Sequence, residues 1–288
     1  MSSPKPELTS QYDAFGQKYT NVFKAMPTAA LETANLRAIL TPYLVPDSRV
    51  LDLACGTGYF PRLYLQWGAA SVVGVDVSPV MVAAARQQQQ TSSSSSEMEK
   101  ENLQFQVGNA LSLGPLPEGP FDVVTGNWLL NYAGTEAEMT QMFASIAANL
   151  RPGGVFVGIT PPMVDQKDMD AVVAETKDLY RDERRAAVLG YRITYLHRVD
   201  EGGLHGGGWE VELSAGRDED EKVTFRTFRF PRAVYEEGAR RGGMKGRLEW
   251  CKVEMVPEAR AAAGEEFWRE YAASEPHMAL MVVEKGNE

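Results

Sequence analysis

The chain is poor in the residues that build cross-links and metal centres, with two cysteines and three histidines in 288 positions. Cys55 lies inside a glycine-rich stretch and Cys251 stands far along the chain, so a disulfide framework is not what holds this protein together. Neither cysteine has zinc-site spacing, no metal is expected, and a reducing, cytoplasmic setting follows. Positive charge is also scarce: 29 Lys and Arg against 39 Asp and Glu give a net charge of −10. Proteins that neutralise phosphates carry a basic stripe, so nucleic acid is not the expected partner. The densest basic stretch, Arg240, Arg241, Lys245 and Arg247, follows Glu236 and Glu237 and reads as a solvated helix end. No apolar run reaches the ~18 residues of a membrane span, and the polar start over residues 1–9 lacks a signal-like core, so no membrane is expected.

What is present is the composition of an ordinary globular protein, 44% hydrophobic and 24% charged, long enough for one large α/β domain. Apolar, β-branched runs at 49–53, 71–77, 103–107, 121–125 and 155–160 predict five strands. The near-continuous apolarity of Val72-Val73-Gly74-Val75 suits strands buried on both faces of a parallel sheet. Between them lie helix signals. Ser78-Pro79 is an N-cap with proline at the first helical position, and Thr135 with Glu138 has capping-box spacing before Met139, Met142, Phe143 and Ile146. Strands alternating with helices predict βαβ architecture. The Gln/Ser tract at 87–96 reads as a flexible surface loop. Farther on, 165–189 reads as a charged amphipathic helix, and 191–199, 209–213 and 223–230 alternate like antiparallel strands around a loose glycine connector at 202–208. A helix at 233–241 and last strands at 251–256 and 278–284 complete the expectation.

The segment Val50-Leu51-Asp52-Leu53-Ala54-Cys55-Gly56-Thr57-Gly58-Tyr59-Phe60 carries the chemistry. A strand runs into a glycine turn and then a helix, which brings backbone and free helix N–H groups close to a ligand. Asp76, at the end of the second strand, sits where a carboxylate takes hydrogen bonds from ribose hydroxyls. A dinucleotide fingerprint needs G-x-G-x-x-G, but Ala54 and Pro61 occupy its first and last positions. Asp52, placed by this reading at the strand end facing the loop, would repel a pyrophosphate and suits the cationic aminoacyl end of S-adenosylmethionine.

These segments resemble class I methyltransferases. Residues 52–58 resemble their motif I, Gly74-Val75-Asp76-Val77-Ser78 the ribose-binding second strand, and Gly108-Asn109-Ala110 the third motif. Phe121-Asp122-Val123-Val124 with Asn127-Trp128-Leu129-Leu130-Asn131-Tyr132-Ala133 resembles motif IV, and Leu150-Arg151-Pro152-Gly153-Gly154 the turn before the fifth strand. A narrower resemblance, to small-molecule methyltransferases of the toxoflavin-biosynthesis type, rests on 51–58, 129–133, Tyr12-Asp13-Ala14 with Tyr19, and Phe228-Arg229-Phe230-Pro231. The resemblance implies a Rossmann-like α/β domain over 1–288, with a mostly parallel seven-stranded sheet, helices on both faces and an antiparallel final strand. It divides into an N-terminal helical cover (1–40), a cofactor-binding core (45–160), an acceptor lid insertion (161–248) and final strands (249–288).

It also implies S-adenosylmethionine as donor and S-adenosylhomocysteine as product. Tyr19, Asp52, Ala54, Gly56, Gly58, Asp76, Val77, Asn109, Ala110, Asn127 and Trp128 are then the donor-binding residues, with Tyr12, Asn131 and Tyr132 toward the acceptor. His197 and Tyr132 are the candidates for proton transfer. His205 and His277 read as solvated, and Trp209, Trp250 and Trp268 as packing residues. Motif IV lacks the Asn/Asp-Pro-Pro-aromatic pattern of amine-modifying enzymes on DNA, glutamine or ribosomal adenine. A small planar or apolar acceptor with an N, O or S nucleophile is therefore expected. The rival readings are a protein of this fold that binds the donor without transferring methyl, and a nicotinamide-dependent reductase, which Ala54 and Pro61 disfavour.

Overall fold

A computed structural model describes residues 10–91, 101–161, 170–171, 173–174, 182–200, 202–216, 222–273 and 278–287. After a 3-10 turn at Gln11–Ala14 come α1 (Gln17–Ala25) and α2 (Thr28–Leu40). The alternating core follows as β1 (Arg49–Leu53), α3 (Tyr59–Gln66), β2 (Ser71–Asp76), α4 (Pro79–Thr91), β3 (Leu103–Val107) and β4 (Phe121–Asn127). Then come α5 (Glu136–Asn149), β5 (Leu150–Thr160), α6 (Glu183–Leu189), β6 (Tyr191–Val199), β7 (Gly208–Ala215) and β8 (Val223–Arg229). The remaining elements are α7 (Arg232–Arg241), β9 (Leu248–Cys251), α8 (Pro257–Ala261), α9 (Glu265–Ala272) and β10 (Ala279–Glu284).

Seven strands form the main sheet in the order β3-β2-β1-β4-β5-β10-β9, and β6-β7-β8 form a separate three-stranded sheet. The first five strands of the main sheet are parallel, and β10 runs antiparallel to both β5 and β9. The order reverses between β1 and β4, and in open α/β sheets the crevice at such a switch point is where ligands sit. The two-residue period of the strands divides the buried side chains between two cores. Val50 of β1 and Val72 of β2 pack on one face, with α2 and α3, while Leu51, Leu53, Val73 and Val75 pack on the other, with α5 and α7.

Several local expectations hold in detail. Ser78 Oγ accepts the Met81 N–H at 3.1 Å, and Thr135 Oγ1 accepts the Glu138 N–H at 3.1 Å. The Glu138 carboxylate, however, reaches back to the Gly134 N–H at 2.7 Å rather than to the cap residue itself. Other expectations are corrected. Gln87–Thr91 are not loop but the last turns of α4, held by Gln89, whose amide donates to the Leu103 carbonyl at 2.8 Å. Glutamine and threonine are tolerated in a helix when its other residues pack. Residues 92–96 of that tract lie outside the described residues.

The helix expected over 165–189 is broken at Asp182, which is extended and caps α6 by accepting the Arg184 and Arg185 N–H groups. Much of the preceding stretch lies outside the described residues. The strand expected at 251–256 sits earlier, at Leu248–Cys251, because Glu254 instead bonds its backbone N–H to the Asn35 side chain of α2 at 2.7 Å. Finally, the N-terminal helical cover is not continuous, and Tyr12 and Tyr19 lie in separate elements. Gly16, with φ +48°, breaks the chain between them, although their rings still meet edge to face at 5.0 Å.

Candidate functional site

The turn after β1 is built from backbone conformations that favour glycine. Ala54, Gly56 and Gly58 all have positive φ, at 62°, 54° and 82°. At Gly56 a Cβ would meet nothing within 4 Å, so that side of the turn faces open space. At Gly58 a Cβ would lie 2.5 Å from Phe105 and from the Arg62 guanidinium. The two glycines therefore have different physical causes: Gly56 keeps a concave surface open, and Gly58 lets α3 and β3 close together.

Asp76 locks this turn from the neighbouring strand. One carboxylate oxygen accepts the Gly56 N–H at 2.8 Å and the other accepts the Ser78 N–H at 2.9 Å. Burial pushes the Asp76 pKa up, and these backbone N–H groups pull it back part of the way. Asp76, Val77, Asn109 and Ala110 line one chamber together with Tyr12 and Ala54, enclosing about 370 Å³. That lies within the roughly 300–1,000 Å³ of small-molecule sites. Asn109 Oδ1 accepts the Leu111 N–H at 2.9 Å, which fixes the orientation of its amide.

A second chamber shares Ala54 with the first and is lined also by Tyr19, Gly56, Glu32, Asn127 and Trp128. Asn127 is 7% exposed; its Nδ2 donates to the Tyr64 hydroxyl at 2.6 Å, and its Oδ1 has no hydrogen-bond partner among the described residues. A buried, unmatched acceptor on a chamber wall is a place for a ligand donor.

A third chamber lies beneath the small sheet, and the two-residue period again decides its wall. Tyr191 and Ile193 of β6, Val211 and Leu213 of β7, and Phe225, Thr227 and Arg229 of β8 face inward. Tyr19, Phe23, Glu32 and Trp128 belong to both this chamber and the second, so the two share a wall. Tyr132 links it to the first chamber and hydrogen-bonds the Tyr12 hydroxyl. Asn131 also lines it, 3% exposed, and its Oδ1 is unpartnered among the described residues.

The N-terminal elements are stitched over these chambers. The Gln11 side chain exchanges two 2.9 Å hydrogen bonds with the backbone of Arg226 in β8. Ser78 Oγ donates to Asp13 at 2.5 Å, and the Thr20 and Thr57 hydroxyls are 2.6 Å apart.

Nine of the eleven residues expected to bind the donor thus line the first two chambers, and Asp52 and Gly58 do not. Asp52 shares the β1 face of Val50 and is buried behind the chambers' lining. It is 2% exposed and accepts a 2.6 Å hydrogen bond from the Thr125 hydroxyl. Burial raises its pKa to about 7, against the opposing hydrogen bonds of Thr125 and Tyr64.

His197 is not brought to the site. Simple alternation from Tyr191 and Ile193 would turn it inward, but a bulge between Tyr195 and His197 turns it out beside Glu210, with its side chain 64% exposed. Burial holds the Tyr132 hydroxyl far above its ordinary pKa, so it is protonated, and it hydrogen-bonds Tyr12. His205 is not solvated as expected, since its Nε2 is buried without a partner among the described residues. His277 lies outside the described residues. Trp209, Trp250 and Trp268 each bond their indole N–H to a neighbouring element and line none of the three chambers.

Glu32 was missed in the sequence although a signal was there. Thr28, Leu31, Asn35 and Leu36 form the buried stripe of α2 at helical spacing, and Glu32 is a carboxylate on that same stripe.

Comparison with known proteins agrees with this geometry. Residues 50–154 match the family model described as "Methyltransferase domain". Among curated relatives, a demethylmenaquinone methyltransferase of Symbiobacterium thermophilum is 29% identical over 54% of this chain and 61% of its own. The mRNA cap guanine-N(7) methyltransferase 1 of Arabidopsis thaliana is 29% identical over 48% of this chain and 40% of its own. The chain thus spans less than two thirds of the length of either relative. A solved S-adenosylmethionine-dependent methyltransferase from Mesorhizobium loti superposes with TM-score 0.53 at 22% identity, covering 88% of this chain and 97% of the other. The fold is the Rossmann-like fold of class I methyltransferases, joined here to a separate antiparallel sheet. No described helix is long and apolar enough to cross a membrane.

Proposed function

We propose that this protein transfers the methyl group of S-adenosylmethionine to a small-molecule acceptor. The observation that carries the reading is the Asp76 carboxylate, locked to the glycine turn by the Gly56 N–H and set in one chamber with Val77, Asn109 and Ala110. The residues present fit that donor. Asp76 supplies acceptors for two ribose hydroxyls, and the Asn109 amide, its Oδ1 already committed to Leu111, presents its N–H₂ toward an adenine ring nitrogen. The unpartnered Asn127 Oδ1 and the open side of Gly56 suit a cationic aminoacyl end. When bound, the donor supplies an electrophilic methyl on a positively charged sulfur.

The chain's own part is to align and to exclude water. Tyr12 and Tyr19 close over the turn, and β6–β8 act as the lid over the third chamber, where the acceptor binds. The walls there are mostly aliphatic and aromatic, which supports a small, apolar or planar acceptor over a polyanionic one. Arg229, within the segment that resembles toxoflavin-type enzymes, lies on that wall and donates to the Tyr195 hydroxyl at 2.7 Å.

Equilibrium dialysis with labelled donor tests the reading. Asp76→Ala is expected to lose at least about tenfold in affinity, since hydrogen bonds to a charged group are worth roughly 1.5–3 kcal/mol. Wild-type affinity in that variant would remove it.

A further inference from the structure

We infer that Glu32 is the acceptor-recognising carboxylate of the third chamber, and that the acceptor is a neutral aromatic molecule bearing an O–H or N–H at its reacting atom. The inference rests on the proposed methyl transfer and adds the chemistry of the second substrate.

Glu32 stands on the wall that the second and third chambers share, between the glycine turn and the apolar pocket under the small sheet. It is 8% exposed, so its carboxylate is largely withdrawn from water. The Trp128 indole N–H donates to Glu32 Oε2 at 3.1 Å, which fixes the carboxylate in place. Trp128 reaches that position from a left-handed backbone, φ +58°, a conformation that bulky residues rarely adopt. Such strain persists only where the surroundings enforce it, and it gathers at functional sites. Here the Trp128 N–H is held by the Ile159 carbonyl at 2.8 Å as β4 ends.

A second acceptor belongs to a residue of the same wall. Asn131 Oδ1 is buried and unpartnered among the described residues. A buried acceptor left unmatched is costly, so a ligand that donates to it gains over one that cannot. Aromatic walls from Phe23, Phe225 and Tyr191 suit a flat ring, and the carboxylate and amide oxygens ask that ring for a donor. In the transfer, an X–CH₃ bond forms as the methyl–sulfur bond breaks. The sulfur keeps that bond's electron pair and leaves neutral, and the X–H proton passes to Glu32.

The test uses 4-ethylphenol, 4-ethylaniline and 4-ethylanisole, which share a ring and differ in the hydrogen on the reacting atom. Calorimetry on the full chain with S-adenosylhomocysteine should show the phenol or the aniline binding at least tenfold tighter than the anisole. Glu32→Leu should reduce that preference at least threefold, leaving only the share owed to Asn131. Equal binding in the wild type overturns the inference, as does a preference undiminished in Glu32→Leu. Should Glu32→Leu fail to fold, the wild-type comparison still decides. With saturating labelled S-adenosylmethionine, wild-type transfer to the phenol or the aniline should fall at least a hundredfold in Glu32→Gln. Transfer within threefold of wild type in that variant overturns the inference. Transfer to neither compound, by a protein that binds the donor, overturns it as well. A protein that does not bind the donor removes the methyltransferase reading itself.

Discussion

Asp52 and Asp76 lie on neighbouring strands, and burial raises the pKa of both. They differ in what holds them. Asp76 is bonded to the two backbone N–H groups of a loop it organises, whereas Asp52 has the Thr125 hydroxyl and an interior position. For Asp52, raised to about 7, the folded state favours the protonated carboxyl. Its contribution to stability is therefore fully present below the unfolded carboxylate pKa of about 4 and is lost as pH rises toward 7. Asp76 acts in the same direction. Urea unfolding of wild type and Asp52→Asn between pH 4 and 8 should show the wild type losing stability relative to the variant across that window. A difference that does not change with pH would contradict the burial of this carboxyl. The position of Asp52 on β1 is legible in the sequence, but its burial against Thr125 is not, because that contact joins residues 73 positions apart.

At the scale of elements, the βαβ core was legible because each strand and cap carries its own local signal. Ser78-Pro79 and Thr135 mark helix starts, and Val72 to Val75 mark a strand buried on both faces. The small sheet was legible as three alternating strands, while the bulge that turns His197 outward was not, since one extra residue leaves the alternation of residue types intact. Glu32 escaped for a related reason. Its role depends on a stripe of α2 meeting Trp128, a contact between residues 96 positions apart. The strand–turn–helix unit makes its own prediction through its two glycines. Gly58→Ala combines a positive φ with an encounter with Phe105 and should cost roughly 2–4 kcal/mol. Gly56→Ala meets open space and should cost only the conformational strain, about 1–2 kcal/mol. Thermal unfolding of the two variants side by side checks the ranking. A reversed order would mean that Gly58 is not the packing glycine.

Across the whole molecule, three chambers run from the switch point of the sheet to the underside of the small sheet, joined at Ala54, at Trp128 with Glu32, and at Tyr132. The N-terminal segment crosses them and is bonded through Gln11 to β8, through Asp13 to Ser78 and through Thr20 to Thr57, so core, cover and small sheet meet over one cleft. The most direct measurement of the central claim is calorimetric titration of the protein with S-adenosylmethionine, S-adenosylhomocysteine and a nicotinamide dinucleotide. Micromolar or tighter binding of the first two and none of the third is expected. Binding of the dinucleotide alone, or of none of them, would contradict it.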